Sequence, residues 1–298
     1  MTQVLAAVPI ASRTCCPICG VAHTRHFLNS NDREVLECGQ CGLLFSSPRP
    51  SHEQIRNFFQ TDYIPDEHRA QDLLAQPRRP TLRLEASIVR RYRPEGGRLL
   101  DIGSAEGAFL REFANSPEWS VHGIEPSQFA SRLARERDGL DVRTGFLRDL
   151  NLPSNDYDVI TSLDTFYFHP EPREDLVEIS RLIRPGGLLF VEIPGLRFRL
   201  LKNTGLICRL LYGVEARLNA QLHLYFYSTK TLTRLVESTS FALVGRYPQQ
   251  GPIYGNTLLR LCNRAYFTVF GALYRLTKGT VNVAPKELLV YRSIKPEC

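Results

Sequence analysis

Three acidic residues, a glycine loop and two pairs of cysteines carry the chemistry this chain could do. The stretch "LLDIGSAEGAFL" places Asp101, Gly103, Ser104 and Gly107 directly after an apolar run. An apolar strand, a glycine turn and a helix opening at Glu106 is the arrangement by which α/β sheets bring a nucleotide-like ligand against bare backbone. The spacing D-x-G-x-x-x-G is not the dinucleotide fingerprint G-x-G-x-x-G. It is not a phosphate loop either, since no Gly-Lys-Ser/Thr follows. The Asp101 carboxylate would repel a pyrophosphate and attract a ligand bearing an ammonium and a sulfonium. Glu125 closes the next apolar run, where a carboxylate can accept from both hydroxyls of a ribose. Asp164 closes a later one, "YDVITSLD". Ligands of open α/β sheets bind beyond the carboxyl ends of the strands, and all three acids sit at or near such ends.

The cysteines form a separate constellation. Five of the eight lie near the start, in "CCPICG" and "ECGQCG". Cys16-x2-Cys19 and Cys38-x2-Cys41 are separated by an interval in the zinc-site range. Four thiolates close a tetrahedron around Zn²⁺ and leave no open position, so the expected metal is structural. Cys15 is the spare neighbour of Cys16, and His23 and His26 between the pairs read as surface residues.

These residues need a frame, and the chain supplies alternating strands and helices. Strands are expected at 98–102, 119–125, 141–145, 157–164, 184–195, 241–248 and 286–295. Helices are expected at 128–137, 172–183 and 229–240. Ahead of them, "SSPRPSHEQIRNFF" predicts a short helix with Ser51 and Gln54 as a capping box. A polar connector and a helix over "TLRLEASIVRRYRP" follow. The expected division is a zinc-ribbon-like module at 1–50, a helical connector at 51–97 and an α/β domain at 98–298, with helical insertions near 196–222 and 255–278.

Composition sets the outer bounds. A hydrophobic fraction of 43% suits a globular core, and a net charge of +6 permits contact with nucleic acid or anionic lipid without requiring either. No run is apolar and long enough to span a bilayer. The apolar start "MTQVLAAVPIAS" has no positive charge before it, so a signal peptide is not expected. The expected location is cytoplasmic and reducing, which favours metal binding over disulfides for the cysteines.

The segments "LLDIGSAEGAFL", "VHGIEPS", "YDVITSLDTFYFHPEP" and "LIRPGGLLFVEIPG" resemble, in order and spacing, the successive motifs of class I S-adenosylmethionine-dependent methyltransferases. The resemblance runs from Arg98 to the C-terminus. The cysteine pairs with "GLLFSSPRPS" resemble a subgroup with an N-terminal zinc-ribbon-like module, frequent among enzymes that modify saccharides and secondary metabolites. It implies a Rossmann-like, seven-stranded α/β methyltransferase sheet with a small N-terminal zinc-binding module. S-adenosylmethionine would lie with its methionine end on Asp101 and the Gly103–Gly107 loop, Ser104 included, and its ribose on Glu125. Asp164 would sit near the transferring methyl. Two positions depart from the pattern. Phe146 follows Gly145 where an acid often meets the adenine, leaving Asp149 as a substitute, and Phe168-His169 stands where Glu-His is common.

The candidate bases are His169 and His223. The expected reaction is O- or C-methylation of a small molecule or saccharide. No Asn-Pro-Pro-Tyr motif points to amino-group methylation. An RNA methyltransferase whose zinc module grips the nucleic acid is the first alternative, and the mixed charge of "GVAHTRHFLNSNDREVLE" argues against it. A non-catalytic cofactor- or partner-binding module is the second, against which the retained acids and glycines stand. The segments "LRFRLLKNTGLICRLLYG" and "GNTLLRLCNRAYFTVFGALYRLTKG" read as basic amphipathic helices with a wide apolar side, in which Arg260, Arg264, Arg275 and Lys278 share a face. They read either as core helices or as a lid or interfacial surface for a hydrophobic or lipid-linked acceptor, with peripheral membrane contact.

Overall fold

The structure is a computed structural model that describes residues 15–30, 33–63, 78–212, 216, 218, 220, 223–250, 257–277 and 279–296. The apolar start, most of the connector before Arg78 and Lys278 therefore lie outside the described residues, as do the side chains of Arg260 and Arg264.

Three antiparallel strands come first: β1 (Thr24–Ser30), β2 (Arg33–Cys38) and β3 (Leu44–Ser47). Helix α1 (His52–Asn57) opens with the expected capping box. Ser51 Oγ accepts from Gln54 N at 3.1 Å, and Gln54 Oε1 accepts from Ser51 N at 2.9 Å. A π-helical turn, Phe58–Asp62, follows it, and α2 spans Arg79–Tyr92.

The α/β part then alternates. Strand β4 (Gly97–Ile102) leads to β5 (Trp119–Glu125), α3 (Gln128–Asp138), β6 (Asp141–Thr144), β7 (Tyr157–Leu163), α4 (Pro172–Leu182) and β8 (Ile183–Pro194). Helices α5 (Leu196–Asn203) and α6 (Gly205–Tyr212) follow. The course ends with β9 (Tyr225–Phe226), α7 (Thr229–Glu237), β10 (Phe241–Gln249), α8 (Thr257–Leu276) and β11 (Lys286–Ser293). Seven strands pair in the order β10-β11-β8-β7-β4-β5-β6, with β4 to β8 parallel and β11 antiparallel to both neighbours.

Alternation along the strands splits the core into two layers. Leu99, Val159, Leu188 and Phe190 face α2 and α3. Leu100, Ile160, Leu189 and Val191 face α4 and α7. Every residue of β7 is buried, as a strand covered by helices on both faces requires. Cys16, Leu43 and Phe45 of the N-terminal module join the α4 layer, and α2 contributes Ala86, Ile88 and Val89 to the other.

One expected helix is absent. The chain from Glu106 forms turns and a short 3-10 segment, Leu110–Glu112. Gly107 has φ +79, which breaks a right-handed helix at its first turn. The bonds that follow are three residues apart, from Glu112 N to Phe109 O and from Phe113 N to Leu110 O.

Candidate active site

The carboxyl ends of β4, β5 and β7 open into a cavity of about 570 Å³. Gly103, Glu125, Asp164, His169 and His223 all line it. A second cavity of about 510 Å³ lies on the other side of the glycine loop, and Asp101, Ser104 and Glu106 line it. Arg78, Gly103, Ala105 and Leu163 border both. Gly103 has φ +76, and a Cβ there would stand 2.5 Å from Thr165 Cγ2. Gly107 lies away from both cavities, packed on Leu140.

The two acids at the ends of β5 and β4 are held in different ways. Glu125 accepts from Ala105 N and Ser127 N, each at 2.8 Å, one on each oxygen. Burial nevertheless pushes its carboxyl up to about 7, against those two donors. Asp101 accepts from Thr161 Oγ1 at 2.6 Å, and burial raises it too to about 7. The buried Ser104 hydroxyl makes no hydrogen bond within the protein. A buried polar group is normally paired, so Ser104 has capacity left over.

Asp164 has the opposite electrostatics. Its backbone is left-handed, at φ +64. Lys286 Nζ donates to Oδ2 at 2.7 Å, and Tyr167 OH donates to Oδ1 at 2.8 Å. Arg78 lies 3.8 Å away. Burial works to raise this carboxyl, but Lys286 and Arg78 outweigh it and hold Asp164 well below the usual carboxylate range. Lys286 and Arg78 also reach Glu192, at 3.2 and 3.7 Å. Glu85 is buried near the same group, and burial followed by the Glu192 charge pushes its carboxyl well up.

The two histidines differ in which nitrogen is free. His169 Nδ1 lies 2.7 Å from Asp175 Oδ2, and Arg148 Nε is 3.0 Å from Asp175 Oδ1. A carboxylate only accepts, so Nδ1 carries the hydrogen, and in the neutral ring the lone pair lies on Nε2. His223 Nδ1 receives a hydrogen bond from Arg199 Nη1 at 2.9 Å. Burial, then the Arg199 charge, pushes His223 well below its usual value. It is therefore neutral with its hydrogen on Nε2, a donor rather than a base. Its ring stacks on Tyr167 at 4.3 Å.

Residues 67–245, more than half of the chain, match the model of a family described as a methyltransferase domain. The chain belongs to that family. The chain is 33% identical over 99 residues to trans-aconitate 2-methyltransferase of Mycobacterium tuberculosis, covering 33% of this chain and 37% of that one. It is 28% identical over 105 residues to sterol 24-C-methyltransferase erg6 of Aspergillus fumigatus, covering 33% of this chain and 28% of that one. It thus spans well under half the length of the curated relatives it matches. The Burkholderia thailandensis 1,6-didemethyltoxoflavin-N1-methyltransferase shares its fold, with a TM-score of 0.56 at 13% identity over 91% of this chain and 100% of that one. The seven-stranded sheet is the class I, Rossmann-like methyltransferase arrangement.

Away from the cavities, the chain gathers four thiols. The Sγ atoms of Cys16, Cys19, Cys38 and Cys41 all lie within 4.8 Å of one another, with Cys16–Cys41 at 3.6 Å and Cys19–Cys38 at 3.5 Å. A tetrahedron with Zn–S of about 2.3 Å has sulfur edges of about 3.8 Å, so the spacing fits the ion. Gly20 and Gly42, at φ +72 and +74, turn the chain back at each pair. Cys15, His23 and His26 are exposed and outside the cluster.

Sequence reasoning missed several residues in and behind the cavity wall. Arg78, Lys286 and Asp175 are assembled from distant parts of the chain or stand where a helix start already accounts for an acid. Phe59 and Tyr63 come from the π-helical turn, with ring centroids 5.2 Å apart, and Phe59 lies 5.2 Å from Phe168. Asp149 lines the first cavity but is paired with Arg56 at 2.6 Å, and Arg56 also covers the Phe146 ring at 4.6 Å.

Proposed function

We propose that this protein methylates an oxygen or carbon nucleophile of a small molecule with an apolar body, or of a saccharide, using S-adenosylmethionine. The carrying observation is one cavity that joins the Glu125 carboxylate to the free Nε2 of a His169–Asp175 pair. The two cavities meeting at Gly103 and Ala105 fit an elongated cofactor, and the unpaired Ser104 hydroxyl and two raised carboxyls fit its polar groups. When bound, S-adenosylmethionine supplies an activated methyl on a cationic sulfur.

The protein's own part is positioning and proton transfer. Glu125 accepts from ribose hydroxyls while its backbone donors keep the carboxylate in place. Asp101 and Arg78 hold the ammonium and carboxylate of the methionine end. Asp164, kept ionised by Lys286, sets a negative charge beside the cationic centre. Phe59, Tyr63 and Phe168 exclude water and pack on the acceptor body. His169 Nε2 takes the acceptor proton, and Asp175 stabilises the resulting imidazolium. His223 Nε2–H donates to the acceptor and orients it. Orientation of this kind supplies on the order of 7–11 kcal/mol in the best cases.

The four-cysteine cluster is proposed to hold a structural Zn²⁺, in a reducing, cytoplasmic setting that keeps the thiolates free to ligate. The proposed division retains the zinc module to residue 50, the connector to 97 and the catalytic domain beyond, with α2 of the connector packed on the sheet. The relatives named for small-molecule acceptors support this class of acceptor. Calorimetry with S-adenosylmethionine and its demethylated product tests the cofactor half, with binding expected in wild type and lost in Glu125→Ala. Transfer of labelled methyl to a panel of phenolic, enolic and saccharide acceptors tests the other half. Absence of cofactor binding by the wild type overturns the proposal.

A further inference from the structure

Of the eleven large apolar side chains exposed among the described residues, six sit on α5, α6 and α8. Leu206 and Leu210 are 72% and 77% exposed and lie four residues apart, on one side of α6. Val269, Leu273 and Leu276 repeat the pattern on α8, while Phe270 beside them is buried. Leu201 is exposed on α5. The Phe198 and Tyr266 rings, 5.9 Å apart, tie α5 to α8, and α6 follows α5 directly after Thr204.

The charges on that surface have one sign. Arg197, Lys202, Arg209 and Arg275 are exposed. No Asp or Glu occurs between residues 196 and 212 or between 257 and 277. Apolar stripes rimmed by cations suit the boundary between anionic headgroups and acyl chains, where leucines enter and basic side chains stay at headgroup level. A second copy of the chain would set the same cations against themselves. No helix among the described residues is long and apolar enough to cross a membrane, so the helices would lie in the interface plane.

We propose that the α5–α6–α8 face docks on an anionic lipid bilayer. The surface is joined to the cavity through Arg199 of α5, which donates to His223 Nδ1 in the cavity wall. Docking therefore presents the cavity to an acceptor dissolved in or anchored to the bilayer. This deepens the reading of the acceptor as apolar and rests on it for its purpose, although the surface exists independently of it.

Flotation of the full chain with phosphatidylcholine vesicles, with and without phosphatidylglycerol, tests the docking. Wild type is expected to float only with phosphatidylglycerol and less at high salt. Leu206→Asp/Leu210→Asp should stay at the bottom. Lys202→Glu/Arg209→Glu should lose on the order of fivefold in partitioning for each basic charge removed, and more for its reversal. Cofactor calorimetry and thermal melts on the same samples should be unchanged, since these side chains are exposed and touch neither cavity. Wild type left at the bottom at low salt while still binding cofactor overturns the docking and spares the methyltransferase reading. Variants that float like wild type overturn it as well. So does a concentration-dependent dimer, abolished by the leucine pair, in a protein that does not float.

Discussion

Cofactor affinity should weaken as pH falls through neutrality, with Asp101 responsible for a defined share. Burial holds the Asp101 carboxyl up to about 7, with the Thr161 hydroxyl and Arg78 pulling it down and Glu125 pushing it up. A bound ammonium favours the carboxylate, so below pH 7 the free protein must give up a proton to bind. Affinity is then flat above the free-state value and falls about tenfold per pH unit below it, per group. Between about pH 8 and about pH 6 the ionised fraction of one such group drops from about 0.9 to about 0.1, or roughly 1.4 kcal/mol of binding. Glu125, also raised to about 7, adds a factor of similar size when ribose hydroxyls donate to it. The wild type should therefore weaken by about a hundredfold over this range, and Asp101→Asn by only about tenfold. The variant should also start weaker at the alkaline end, by on the order of 1.5–3 kcal/mol for a lost charged hydrogen bond. Titration calorimetry in two buffers of different ionisation enthalpy measures both the affinity and the protons released. An affinity that is flat across this range, or an Asp101→Asn variant with the full wild-type slope, would refute the reasoning.

Other outcomes separate the remaining residues. His169→Ala should lower turnover by on the order of 10²–10⁴ with cofactor affinity intact, and Asp175→Asn should follow it, in a methyl-transfer assay on any accepted substrate. His223→Ala should instead raise KM for the acceptor, and a rate loss equal to that of His169→Ala would contradict its role as a donor. Gly103→Val should lose cofactor binding by calorimetry and melt lower, because its Cβ meets Thr165 in a left-handed backbone. Cys38→Ser should lose most of its zinc by elemental analysis and unfold at lower temperature, and a zinc content equal to wild type would remove the metal site.

The sheet is legible because each strand is a short apolar run, and β7 is buried from end to end. The α1 capping box is legible because its two partners lie three residues apart. That Asp101, Glu125 and Asp164 border the cavities is legible because the crevice of an open α/β sheet lies beyond its strand ends. The helix expected at Glu106 fails because apolar spacing carries no record of the left-handed Gly107. Arg78 and Lys286 escape because their shared partners, Asp164 and Glu192, lie far from both in sequence. The difference between the His169 and His223 rings escapes too, because it depends on which partner Nδ1 meets.

The fourth strand beside β3 is Tyr225–Phe226, whose pairs with Leu44 and Phe45 close the edge of the N-terminal sheet. Ser46 N and Oγ both donate to Leu224 O, 178 residues away, and Ser30 Oγ accepts from Leu218 N across 188 residues. During synthesis, then, the cysteine module leaves the ribosome long before its last strand exists. Its four thiols can meet early, but β3 waits as an open edge until the whole parallel sheet has been translated. Expressed alone, the first fifty residues would carry that edge permanently, and their natural cap would have to be supplied as a separate peptide.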